Sequence, residues 1–259
     1  MKGALQTLER VLFALTQAVR PGVTPVVLAA MANEEIQRLD ASAILPAEVD
    51  RNGKPFGFAA CVCVNDQAAN AVPSVVPLEP GDLVTLDVVL AWPARGGEGP
   101  GGARCVVDGA TTCVVAGDAP DAAVNLRDAA RAATRACLQG AHPGTTPIAL
   151  RRLAHGVADQ FGVSLAPIAL VHRVNQSDGA LHVVLPEHQP LQAGDVIVIE
   201  PLLVTRSSGC ELRPDGDGFT LRTADGSLAA YEECTMVVGD DESSPRIHPS
   251  GVERPWLVL

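Results

Sequence analysis

Four carboxylates stand in the middle of apolar, strand-like runs: Asp87 in LVTLDVVL, Asp108 in RCVVDGATTCVV, Glu200 in VIVIEPLLV and Glu233 in LAAYEECTMVV. His172, in LAPIALVHRV, is a fifth group of the same kind. Burying a carboxylate is costly unless it is paired or bound to a cation. Any one of these acids alone fits a surface-facing slot on its strand. For all of them together that account weakens, and a shared cation is the economical way to neutralise carboxylates that converge. Carboxylates with one imidazole suit a pair of divalent transition ions (Mn, Co, Fe or Zn), held ~3.5–4 Å apart by bridging carboxylates. Such a pair lowers the pKa of water toward neutrality and polarises a carbonyl oxygen, which gives hydrolysis without a protein nucleophile.

The elements that must position these groups are written twice. Segment 21–31, PGVTPVVLAAM, is echoed by 143–153, PGTTPIALRRL, and segment 78–90, LEPGDLVTLDVVL, by 191–203, LQAGDVIVIEPLL. Two matches in the same order, each about half a chain apart, argue for two related half-units, about 1–118 and 119–239, followed by a tail at 240–259. Asp87 and Glu200 fall at corresponding places, so each half supplies one wall of a central site. In each half Thr24 or Thr146 is expected as a helix N-cap, with Pro25 or Pro147 at the first helical position. A helix precedes each: 3–19, with Leu5, Leu8, Leu12, Leu15 and Val19 on one stripe, and 121–139, rich in Ala. Strand-like runs follow at 56–64, 83–91 and 104–116, and at 163–174, 180–185, 195–204, 218–223 and 228–238. Residues 91–104, AWPARGGEGPGGAR, are too rich in Gly and Pro for a strand and read as a loop; 239–255 reads as extended surface. The fold class is α+β, two halves sharing one sheet system.

Composition narrows the partners. The chain has 259 residues, 47% apolar and 19% charged, which is globular composition and excludes a disordered or fibrous protein. Aromatics are 3%, and 30 acidic residues outnumber 19 basic ones for a net charge of −11, a poor surface for base stacking or phosphate binding. Nucleic acid is not expected as a partner. Seven scattered cysteines, most inside apolar runs, suit a reducing cytoplasm. The C-x-C at Cys61 and Cys63 lacks a second pair at zinc-site spacing and reads as buried filler. Glu9 and Arg10 interrupt the only N-terminal apolar stretch, so neither export nor a membrane span is expected.

With these residues in place, the chain resembles the methionine aminopeptidase branch of the pita-bread metallopeptidases, from about residue 10 to 239. The landmarks are VCVNDQAANAVPSVVPLEPGDLVTLDVVL (62–90), LQAGDVIVIEPLLV (191–204) and SLAAYEECTMVV (227–238). The resemblance implies one pita-bread domain of two pseudo-symmetric halves and two divalent metal ions. It implies that Asp87 binds one ion, Asp108 and Glu233 bridge, and His172 with Glu200 holds the other, Glu200 also taking the proton of the attacking water. It places His182, in ALHVVLP, against the scissile carbonyl, and Phe56, Cys61 and Leu181 as walls of an apolar side pocket. The implied activity is removal of an N-terminal methionine or other apolar residue from a peptide.

The departures carry expectations of their own. Asn70, in QAANAVP, stands where the family has a His that contacts the substrate amide; an amide hydrogen-bonds but cannot shuttle protons, so a slower chemical step is expected. Val171, Arg173 and Asn175 replace the family's glycines around His172, and the 91–104 loop lengthens the separation of Asp87 from Asp108. The acidic, lysine-poor surface is a poor match for docking on the ribosome. Prolidase-like relatives carry a further N-terminal domain for which 259 residues leave no room. The alternative from another class is an impaired pita-bread module that binds a peptide or protein without cleaving it.

Overall fold

The computed structural model describes residues 1–93, 104–173, 183–205 and 210–240. The first half contains helices α1 (Lys2–Ala18) and α2 (Pro25–Arg38), then strands β1 (Ser42–Ala43), β2 (Cys61–Val64), β3 (Gln67–Ala69), β4 (Leu83–Trp92) and β5 (Cys105–Val114). The second opens on α3 (Asp121–Gly140) and α4 (Pro147–Phe161), followed by β6 (Ser164–Leu165), β7 (Val171–Arg173), β8 (Val183–Val184) and β9 (Val196–Ile199). It closes with β10 (Leu203–Val204), β11 (Leu212–Pro214), β12 (Leu221–Thr223), β13 (Ala229–Ala230) and β14 (Glu233–Val237).

One sheet crosses both halves in the order β1-β4-β5-β14-β9-β7-β8, with β2 also paired to β4. Two small sheets, β13-β10-β6 and β11-β12-β3, flank it. The stripe on α1 buries Leu5, Leu8, Leu12 and Leu15 with Leu28 and Ile36 of α2 against Leu86, Val88 and Leu90 of β4. In the second half Leu126, Ala130 and Leu150 of α3 and α4 cover Ile197, Ile199 and Met236. Each helix pair therefore removes one face of its part of the sheet from water, the dominant favourable contribution to folding.

The echoed sequences make the same hydrogen bonds. Gly22 N–H donates to Leu78 O at 2.8 Å and Leu78 N–H to Val23 O at 2.8 Å; Gly144 donates to Leu191 O at 2.9 Å and Leu191 to Thr145 O at 2.8 Å. Gly22 (φ 85°) and Gly144 (φ 89°) take the left-handed turn that glycine adopts without penalty. Val115 N–H donates to Asp82 O at 2.8 Å, and Val238 N–H to Asp195 O at the same distance. The helix starts differ in one respect. The Thr24 hydroxyl accepts from Val27 N–H at 3.4 Å, whereas Thr146 occupies the N-cap position of α4 without a side-chain capping bond.

Several strand-like runs are shorter than their composition suggests, for identifiable reasons. Within 56–64 only 61–64 is strand, because Pro55 lacks a donor and Gly57 turns at φ 81°. The run 163–174 divides into β6 and β7 around Pro167, and 195–204 divides into β9 and β10 at Pro201. Of 218–223 only 221–223 is strand, after Gly218 at φ 93°, and 228–238 becomes β13 and β14. Most of the expected 91–104 loop and of the polar tail lies outside the described residues. Among the described residues no helix is long and apolar enough to cross a membrane.

Candidate metal centre

Register alone puts most of the acids on one face. Asp87 pairs with Ala110 and Val89 with Asp108 between β4 and β5; Ala110 pairs in turn with Glu233 of β14. Thr235 pairs with Val198 of β9, and Val198 with His172 of β7. Directly opposed residues share a face, as do alternate residues along a strand, so Asp87, Asp108, Glu233 and His172 all project away from the helices. The alternating residues Leu86, Val88, Val107 and Met236 lie in the helix-covered cores. Glu200 stands one residue beyond β9, where its N–H donates to Leu170 O at 3.0 Å.

The five sequence candidates meet unequally. One ligand atom each of Asp108, His172 and Glu233 lies within 4.8 Å of the others, and all three side chains are buried. His172 Nε2 is 3.2 Å from Glu233 Oε1 and 3.4 Å from Glu200 Oε1. Asp87 Oδ2 accepts the hydroxyl of Tyr231 at 2.8 Å. Asp108 Oδ1 is buried with no hydrogen-bond partner among the described residues, a lone pair of the kind a cation satisfies.

The electrostatics agree with that geometry. Burial is the largest cause raising Asp87, to about 6, and the Tyr231 hydroxyl opposes it. Burial, then the charge of Asp87, pushes Asp108 well above the carboxylate range. Burial, then Asp108 and Asp87, does the same to Glu200, and burial, then Asp108, Glu200 and Asp87, to Glu233. Four carboxyls that disfavour one another's ionised form in a dry site are held apart from neutrality by a cation or else protonated. Oxygen donors with one imidazole suit Mn, Co, Fe or Zn, so the residues present fit a divalent centre.

Beside the acids lies an apolar patch. The Phe56 ring meets Phe219 edge-on at 5.2 Å and Phe58 at 5.9 Å, and packs with Cys61, Val89, Val106 and Val198. The three valines sit two residues from Asp87, Asp108 and Glu200 respectively, so apolar wall and candidate ligand alternate along β4, β5 and the end of β9. Cys61 opposes Asp87 in the β2–β4 ladder, and burial, then the charge of Asp87, pushes its thiol well up. Neither Cys61 nor Cys63 joins the metal-capable group. Asn70 is exposed just after β3, at φ 54°. His182 and Leu181 lie outside the described residues.

Four participants have no obvious sequence signature. Phe219, in PDGDGFT, carries no periodicity and is revealed by its ring contact with Phe56. Tyr231 reads as apolar filler until its hydroxyl is seen on Asp87. Glu232, fully buried on the opposite face from Glu233, accepts from Thr112 N–H at 2.9 Å and the Thr111 hydroxyl at 3.1 Å, with Arg131 Nε at 3.5 Å. Thr235 binds both backbone groups of Asp108 through its hydroxyl.

Two helix-covered halves of a single sheet, with carboxylates and an imidazole gathered on the uncovered face, define the pita-bread class of fold. The chain belongs to Metallopeptidase family M24, whose family model matches residues 1–238. It is 30% identical to the methionine aminopeptidase of Treponema pallidum over 98% of this chain and 94% of that one. It is 27% identical to that of Aquifex aeolicus over 92% and 91%. Among solved structures, methionine aminopeptidase from Rickettsia prowazekii superposes with a TM-score of 0.77 at 22% identity, covering 93% of this chain and 92% of the other. Prolidase from Pyrococcus furiosus superposes at 0.67 and 16% identity; the chain spans 98% of its own length but 63% of that protein. These superpositions establish the fold.

Proposed function

We propose that the chain is a dinuclear metalloaminopeptidase that removes an N-terminal methionine or another apolar residue from peptides. The observation that carries this reading is the convergence of Asp108, His172 and Glu233, from both halves of the sheet, to within 4.8 Å. Relatives named methionine aminopeptidases over nearly the whole chain support it.

In this reading Asp87 on one side, His172 with Glu200 on the other, and Asp108 and Glu233 shared between them would hold two divalent ions, whose chemistry when bound would be to lower the pKa of water and polarise the scissile carbonyl. The rest is done by the protein. Glu200 is the least enclosed of the carboxylates around His172, 15% exposed where Glu233 is 2%, and takes the proton of the attacking water. The resemblance assigns His182, which lies outside the described residues, to the carbonyl oxygen. Asn70 hydrogen-bonds the substrate amide but leaves proton transfer to Glu200. Phe56, Phe219 and Cys61 wall the pocket for the first side chain, to which the resemblance adds Leu181, and burying an apolar residue there contributes ~25 cal/mol per Å². The family match favours this over a non-catalytic binding module.

The test is metal content and hydrolysis of methionyl dipeptides and tripeptides with added Mn or Co, for the wild type and Asp108→Ala. Removing a bridging carboxylate exposes the two cations to each other, so the variant is expected to lose metal binding and hydrolysis together. Full metal content in Asp108→Ala contradicts the ligand assignment. A metal-loaded wild type that cleaves no peptide favours the binding module.

A further inference from the structure

Tyr231 is 1% exposed, its ring seated among Ala68, Ala110, Ala166, Leu202 and Val204, and its hydroxyl donates to Asp87 Oδ2 at 2.8 Å. Its backbone is fixed as well. Tyr231 N–H donates to the Thr112 hydroxyl at 3.2 Å, that hydroxyl donates to Tyr231 O at 2.6 Å, and Thr85 Oγ1 lies 2.8 Å from Thr112 Oγ1. A phenol held at both ends delivers its O–H to one place.

The duplication makes that place informative. The repeated hydrogen bonds equate Asp82 with Asp195 and Val115 with Val238. Counting inward from these anchors, Asp87 corresponds to Glu200, and Asp108 corresponds to Tyr231. One half therefore offers Glu200 a carboxylate where the other offers Asp87 a neutral donor. A carboxylate repels its neighbour and competes for the same ion; a phenol occupies one lone pair, fixes the carboxylate's orientation and adds no charge. Asp87 and Glu200 both lie outside the group of Asp108, His172 and Glu233 atoms that converge within 4.8 Å, but Glu200 is 3.4 Å from His172 whereas the contact seen at Asp87 is the Tyr231 hydroxyl.

We propose that Tyr231 is a positioning residue: its hydroxyl orients Asp87 for a divalent ion and thereby sets the affinity of the ion on the Asp87 side, separately from that of the ion on the His172 and Glu200 side. This rests on the dinuclear reading above.

The test is calorimetric titration of the metal-free full chain with Zn²⁺, wild type against Tyr231→Phe. The wild type is expected to bind in two steps. The variant is expected to keep one step and to weaken the other ~10–100-fold, as removal of outer hydrogen-bond partners does at metal sites. Tyr231 is the one tyrosine of the chain, so meta-fluorotyrosine labelling of the otherwise unaltered protein gives a single fluorine resonance. It is expected to shift with one equivalent of Zn²⁺, the one whose step Tyr231→Phe weakens, and the shift itself needs no variant to fold. Two unchanged steps in the variant, equal weakening of both, or a resonance that moves only with the equivalent whose step the variant leaves unchanged overturns the assignment of Tyr231 alone. A wild type that binds no Zn²⁺ overturns the metal centre, and this inference with it.

Discussion

The Thr235 hydroxyl closes the seam between the halves at Asp108: it accepts from Asp108 N–H at 2.8 Å and donates to Asp108 O at 2.7 Å. Backbone pairing of β5 with β14 runs through Ala110 and Gly109 and stops there, so one side chain continues the ladder beneath a candidate bridging ligand.

Thr235→Val keeps the shape and removes both bonds, leaving two buried backbone groups of Asp108 without this partner. Each such loss costs about 1–3 kcal/mol, so destabilisation of roughly 3 kcal/mol is expected. Thr235→Ser, which keeps the hydroxyl, is expected to recover most of it. Urea unfolding of the metal-free proteins reads the difference, and an unaltered Thr235→Val midpoint refutes the role given to the hydroxyl.

The acids predict an unusual pH profile for the metal-free protein. Asp87 is raised to about 6 from 3.8, chiefly by burial, so the folded state binds its proton more tightly than the unfolded chain does. Its contribution is fully present below pH ~4 and is lost as pH rises through ~6, amounting to roughly 3 kcal/mol for this group taken alone. Asp108, Glu200 and Glu233 shift in the same direction. With chelator present, the melting temperature is expected to be higher at pH 5 than at pH 7.5. Saturating Mn²⁺ is expected to reverse that order, because a cation that binds ionised carboxylates stabilises the folded state by mass action. Identical profiles with and without metal refute a cation site at these residues.

Behind Glu233, the adjacent Glu232 depends on a separate cation. Arg131 lies 3.5 Å from its fully buried carboxylate and donates through Nη2 to Thr112 O at 3.1 Å, tying α3 to β5 and to the residue that leads into β14. Arg131→Ala removes the guanidinium from a buried charge and is expected to cost about 3 kcal/mol. The double change Arg131→Met with Glu232→Gln, which removes both charges, is expected to cost less. Thermal unfolding orders the variants; a double variant no better than the single one argues against an ion-pair account.

How much of this was legible depended on whether the cause was local. Asp87, Asp108 and Glu233 could be singled out because a charge inside an alternating apolar run violates burial, and alternation placed them on one face. The halves were readable from P-G-x-T-P and L-x-x-G-D because turn geometry demands particular residues at Gly22, Gly144, Gly81 and Gly194, each at positive φ. Glu200 was readable as an acid, and Pro201 beside it marks the end of its strand, but the apolar density of 195–204 masks that break. Tyr231 and Phe219 were not legible at all. Their roles exist only through partners, Asp87 and Phe56, more than a hundred residues away. Glu232 and Glu233 are neighbours of the same type, and only the fold shows that one faces Arg131 and the other His172.

Asn70 occupies a left-handed position, φ 54°, which Asn and His both adopt more readily than most residues, so Asn70→His introduces an imidazole without forcing the backbone. In the proposed reaction Asn70 binds the substrate amide but cannot carry a proton. A positioned imidazole with an ordinary pKa near 6.5 can do both, and such groups contribute ~10²-fold or more to a chemical step. Asn70→His is therefore expected to raise kcat on a methionyl peptide by about 100-fold, the low end of that range, with metal content unchanged. The gain is expected in kcat more than in KM, because the ground-state contact to the amide is retained and only the proton-transfer path is new. A variant with full metal content and no gain in kcat means that Asn70 is adapted to a substrate other than an N-terminal methionyl peptide.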